Sequence, residues 1–179
     1  RSSRVQAGRM LIHMQQQAAN RSEAVLAAAV VIAVAVGIVI AWAGSQDGQT
    51  VAGIPVFALG VALAFIIQWV VFVPSYLRQT ERYFDLTGSI TYTTVAILAF
   101  VLSPERDSRS LVLVVLVVIW AGRLGTYLFR RIRKSGKDDR FDDLKTSPVR
   151  FLAVWTMQGL WVSLTLAAAL AAITTTNRD

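Results

Sequence analysis

The chain has no cysteine and a single histidine, His13. Disulfides, thiol catalysis and cysteine-held metals are therefore excluded, and one histidine alone cannot build a histidine metal cluster, so no metal site is expected. Charge is scarce, at 16% of residues. No glycine-rich fingerprint follows a strand, which excludes a Rossmann-type nucleotide site. There is no soluble domain, internal repeat or low-complexity linker.

What is present is apolar: 55% of the 179 residues are hydrophobic, against ~45–50% in ordinary soluble domains. These residues fall in long runs, and a bilayer core of ~30 Å needs about 20 apolar helical residues to cross it. The runs predict an all-α, polytopic transmembrane helix bundle of five spans, near residues 24–43, 51–73, 86–102, 110–129 and 151–173. The net charge of +7 is explained by topology rather than nucleic acid, because the basic residues lie between the apolar runs.

Residues 1–20 form a basic N-terminal segment whose Met10, Leu11, Ile12 and Met14 give it a partly apolar face. It reads either as a short amphipathic helix on the membrane surface or as a frayed tail. Nothing before the first span resembles a cleavable signal. Asn20 and Glu23 then read as a capping box opening the first span, and Pro74 as the end of the second. The third span is the polar one, with Thr87, Ser89, Thr91, Tyr92, Thr93 and Thr94. Such groups must be satisfied internally, so it is expected to face protein or a wet cavity.

Counting Lys and Arg gives four before the first span, none in the first loop, two each in the second and third, eight in residues 130–150 and one in the tail. Heavy and light segments alternate, which predicts a cytoplasmic N-terminus and a cytoplasmic 130–150 loop.

Arg123 lies within or just below the fourth span, where a charge is costly and usually functional; the competing reading is snorkelling to the headgroups. The loop RRIRKSGKDDRFDDLK is either a positive-inside anchor or a surface that grips phosphates. Asp85 beside Tyr83 and Tyr92 can polarise a carbonyl or donate a proton; Asp85 equally suits a helix cap, and the tyrosines suit the interface. Gln68 and Gln158 either line a polar pocket or bond between helices. Trp69, Trp120, Trp155 and Trp161 read as belt or packing residues.

The segments ERYFDLTGSITY (Glu81–Tyr92), WAGRLGTYLFRRI (Trp120–Ile132), GKDDRFDDLK (Gly136–Lys145) and RFLAVWTMQGLWV (Arg150–Val162) resemble, in this order, bacterial membrane proteins of the steroid 5α-reductase-like family. The resemblance covers roughly residues 65 to 165. It implies a helical enzyme of the bacterial inner membrane that uses NADPH to reduce a conjugated enone in a lipophilic, steroid-like molecule. Asp85 and Tyr92 would then be catalytic, and Gln68, Tyr83 and Gln158 would contact substrate. Arg123, Lys137, Asp138 and Arg140 would sit near the cofactor. Such proteins continue into an Asn/His/Tyr-containing segment resembling SRHPNYFGE, which carries much of the cofactor site. Nothing like it follows Ala172, so the expectation is a fragment or a shortened relative with an incomplete nicotinamide pocket. The competing expectation is a non-catalytic membrane subunit packed among larger partners and lipids, favoured by the smooth Ala/Val first span. A small lipid-binding or transport accessory ranks third.

Overall fold

The computed structural model describes residues 2–104, 106–135, 141–142 and 144–175. Five helices account for most of them: α1 Ser2–Gly44, α2 Val56–Leu77, α3 Phe84–Leu102, α4 Ser108–Ser135 and α5 Pro148–Thr174. Each contains a stretch long and apolar enough to cross a membrane, and the chain is an integral membrane protein of helical architecture.

The expected break at Asn20 is absent. α1 runs through it as one helix of 43 residues, about 64 Å at 1.5 Å per residue, with only Ala19–Gly44 suited to the bilayer. Asn in a helix interior costs at most ~0.7 kcal/mol, too little to stop a helix flanked by Gln and Ala. Glu23 makes no capping box. Its carboxylate accepts from Ser147 Oγ at 2.8 Å, and Arg150 donates to Ser22 Oγ at 3.2 Å. These bonds clamp the start of the apolar part of α1 to the start of α5.

The second span begins later and ends later than its hydropathy predicts. A hairpin, β1 Thr50–Val51 against β2 Ile54–Pro55, occupies the expected first turn. Ala52 and Gly53, with φ of 52° and 78°, form its two-residue bend, the positive-φ pair that tight hairpins require. Pro74 lies inside α2: it cannot bond the Val70 carbonyl and its ring crowds that group, yet its own carbonyl accepts from Arg78 N at 3.1 Å and the helix continues to Leu77. α2 stops instead at a left-handed residue, Gln79 with φ 49°. Gln79 N donates to Tyr76 O and Thr80 N to Ser75 O, at 3.1 and 3.0 Å, closing a Schellman cap.

Short connections make consecutive helices antiparallel. The first half of α1, the α2–α3 connection, the end of α4 and the start of α5 therefore share one end, the basic end. α5 is the central helix and touches the other four. Phe57, Phe65, Val95, Leu160, Leu166 and Leu170 fill the middle of the bundle. Lipid is as apolar as these side chains, so close fit rather than water expulsion holds the helices together. Gly159 shows this: a Cβ there would lie 3.2 Å from the Phe65 backbone. At the basic end Phe141, Phe151 and Trp155 form a second, aromatic cluster with Phe72, Tyr76 and Phe84. α1 packs on one side only and leaves Val25, Val31, Ile32, Ile38, Val39 and Trp42 exposed, a face for lipid contact.

Candidate functional site

α3, α4 and α5 enclose a cleft of about 190 Å³ in the half of the bundle nearer the basic end. Each helix presents one face to it. Asp85, Gly88, Ser89 and Tyr92 come from α3; Trp120, Leu124 and Leu128 from α4; Gln158, Trp161 and Val162 from α5. Spacings of three, four, seven or eight residues put each set on one side of its helix.

Asp85 lies in the first turn of α3, where Tyr83 and not Asp85 is the capping residue. It pairs with Arg131 of α4 at 3.7 Å; Asp85 is 17% exposed and Arg131 45%. Tyr92 is buried, with its ring edge-on to Trp120 at a centroid distance of 4.9 Å. Its hydroxyl bonds Thr165 Oγ1 at 2.5 Å. Thr165 donates its one proton to Trp161 O at 2.8 Å, so Tyr92 is the donor in that pair. Gln158 Nε2 donates to Phe84 O at 3.2 Å, while its Oε1 is buried without a partner. Gly88 makes room for that amide, since a Cβ at Gly88 would collide with Gln158 Nε2. Gly125 does the same for Ser89, whose Oγ would lie 2.5 Å from an added Cβ.

Thus Asp85, Tyr92 and Gln158 share one cleft, and Gln68 and Tyr83 lie outside its lining. Gln68 is fully buried between α2 and α3, where Nε2 donates to Thr91 Oγ1 at 2.9 Å. Thr91 in turn donates to Thr87 O. Tyr83 is half-exposed at the basic end, in a separate depression with Arg82, Phe129, Ile132 and Arg133. Ser89, Arg131 and the two cleft tryptophans were not singled out by the sequence as site residues. The signal available was spacing: Ser89 is one turn from Asp85, and Trp161 is three residues from Gln158.

Arg123 is exposed on the side of α4 turned away from the bundle. It is 12 residues before Ser135, about 18 Å along the helix. With Tyr127, Arg130, Arg131 and Lys134 it forms an open cationic face. These charges suit the phosphates of a dinucleotide. Lys137, Asp138 and Arg140 lie outside the described residues. Arg131 belongs to this face and also reaches Asp85, so it connects the cationic surface to the cleft.

No curated protein and no solved structure matches the chain. One family does, that described as a protein of unknown function (DUF1295), over residues 71–179. The match takes in the end of α2 and all of α3, α4 and α5, and with them every wall of the cleft. Covering well over half of the sequence, it assigns the chain to a family: this is a member of the DUF1295 membrane proteins.

Proposed function

We propose that this chain is the substrate-holding membrane portion of an NADPH-dependent reductase that acts on a conjugated enone in a lipophilic, steroid-like molecule. The observation that carries this reading is the convergence of Asp85, Tyr92 and Gln158 on one mostly apolar cleft. The family's relation to steroid 5α-reductases supports it.

Reduction of an enone builds negative charge on the carbonyl oxygen, and fixed donors lower that barrier. Gln158 retains a second amide hydrogen beyond the one given to Phe84 O. Tyr92 can transfer its hydrogen bond from Thr165 to a carbonyl. Asp85, held by Arg131, borders the same space. Leu124, Leu128, Trp120 and Trp161 receive the hydrocarbon and exclude water. Arg123, Arg130 and Arg131 would hold the phosphates of NADPH, which would supply a hydride for the carbon β to the carbonyl and leave as NADP+, a proton from solvent completing the α-carbon. The alternation of basic segments supports a cytoplasmic basic end, and a bacterial inner membrane is the setting proposed.

The test uses the intact gene product in detergent with a panel of enones, following NADPH absorbance and product mass. Turnover is expected, reduced on the order of 10²-fold in Tyr92→Phe or Gln158→Leu, the usual cost of one oxyanion donor. Neither turnover nor enone binding across the panel would overturn the reading. It would favour instead a non-catalytic subunit, for which the outward Arg123 is the supporting observation, since a partner would shield that charge from lipid.

A further inference from the structure

A second concavity lies on the other side of the α3–α4 contact. It opens outward, has a volume of about 390 Å³, and carries Arg130 and Arg133 at its basic end. Ser89, Thr93, Thr94 and Thr126 line it further along, and Gly122 and Gly125 lower its α4 wall.

Two observations set this groove apart. First, its hydroxyls are unused. Thr87, Thr91, Ser103, Thr156, Ser163, Thr165 and Thr174 each donate to the carbonyl four residues back, the usual solution for a hydroxyl in a membrane helix. Among the described residues, Ser89, Thr93, Thr94 and Thr126 make no side-chain hydrogen bond. Second, among the described residues the arginines at the mouth have no carboxylate partner, whereas neighbouring Arg131 takes Asp85. Arg133 lies over the Phe129 ring, at 6.0 Å.

From the basic end inward the groove therefore offers two guanidinium groups, then the hydroxyls of Ser89 and Thr126 beside Ile90, and deeper the side chains of Thr93, Thr94 and Ala121. The charged mouth suits an anionic phosphate and the hydroxyls of Ser89 and Thr126 suit ester oxygens, while the outward opening beside Leu86, Ile90 and Phe129 leaves room for acyl chains. We propose that the α3–α4 groove is a binding site for one anionic phospholipid, with its phosphate between Arg130 and Arg133 and its glycerol esters against Ser89 and Thr126. Guanidinium groups suit phosphate oxygens by charge and fork geometry, and basic residues at the membrane surface select anionic lipids. The groove shares Ser89 with the cleft and Arg130 with the cationic face, but lipid binding there does not depend on reductase activity.

The test is native mass spectrometry of the full chain in detergent, titrated with phosphatidylglycerol or phosphatidylcholine. One phosphatidylglycerol is expected to bind, favoured over phosphatidylcholine on the order of tenfold by two arginines. Arg130→Gln with Arg133→Gln removes that preference. Gly122→Leu weakens both lipids alike: a Cβ there meets no protein atom within 4 Å, so the new side chain fills the groove without disturbing the helices. Equal binding of the two lipids by the unmodified protein, or a preference that survives the double arginine change, would overturn the proposal. So would displacement by inorganic phosphate alone, which would make the arginines an anion site facing water.

Discussion

Asp85 and Arg131 meet at 3.7 Å where the first turn of α3 faces the last turns of α4. The pair joins the cleft to the cationic face, and its arginine is nearly half exposed. Solvent screening holds such pairs to ~1 kcal/mol or less. Asp85→Asn and Arg131→Met are therefore each expected to move thermal unfolding in detergent only slightly. A double-mutant cycle should give a coupling below about 1 kcal/mol. Enone reduction should fall far more than stability in Asp85→Asn. Equal small losses in both would leave the pair a purely structural contact.

Gly125 and Gly122 are neighbours on α4 with opposite expected tolerances. A Cβ at Gly125 would press on Ser89 Cβ at 2.6 Å, while one at Gly122 meets nothing. Gly125→Val should push α3 from α4 and cost ~1–3 kcal/mol, the range for overpacking. Gly122→Ala should be neutral or stabilising by up to ~1 kcal/mol, as Gly to Ala in a helix interior allows. Unfolding midpoints of the two variants, measured in one detergent, check the contrast.

The five spans could be read from the sequence because crossing lipid demands long apolar runs, and those runs are visible one residue at a time. Their ends were less legible. The hairpin at Thr50–Pro55 carries Val51, Ala52 and Ile54 and so extends the apolar run of the helix it precedes, and Pro74 does not stop α2. The polar third span was expected to face protein, and Thr87, Thr91 and Tyr92 do. Which faces meet was not legible. Gln68 and Gln158 look alike in sequence, yet one bonds across α2–α3 and the other opens on the cleft. Helical spacing gives the side a residue occupies but not the helix packed against it. The pairing of Asp85 with Arg131 rather than Arg130 depends on the rotation of α4, which tertiary packing sets.

Gln79 holds the left-handed position that closes α2. That conformation brings Cβ close to the following carbonyl and costs roughly 1–2 kcal/mol for most side chains. Glycine avoids the clash but loses more chain entropy on folding. Gln79 Nε2 also donates to Tyr76 O at 2.8 Å, a modest exposed bond that glycine would forfeit. Gln79→Gly is expected to stabilise by a few tenths to about 1 kcal/mol, and Gln79→Val to destabilise. A lower unfolding midpoint for the glycine variant would mean that the side-chain bond outweighs the backbone strain.

Lys145, just before α5, bonds Glu81 at 2.6 Å and lies 3.5 Å from Asp142. Burial is the largest single influence on this lysine and works to lower its pKa; the bonds and charges of Glu81 and then Asp142 together outweigh it, so the net direction is upward. A group raised in the folded state adds stability that is fully present below its unfolded pKa and lost as pH climbs through the folded one. Stability from this contact should therefore be flat through neutral pH and decline only in strong alkali, above the ordinary lysine range. Lys145→Met removes one partner from a Glu81 that is 5% exposed. The cost should approach the ~3–5 kcal/mol of a broken buried pair, reduced by the other contacts Glu81 keeps. Unfolding midpoints across an alkaline series check both parts. The unmodified protein should lose stability at the top of the series, while Lys145→Met, already weaker, should lose less. Parallel curves for the two proteins would mean that the alkaline loss arises elsewhere.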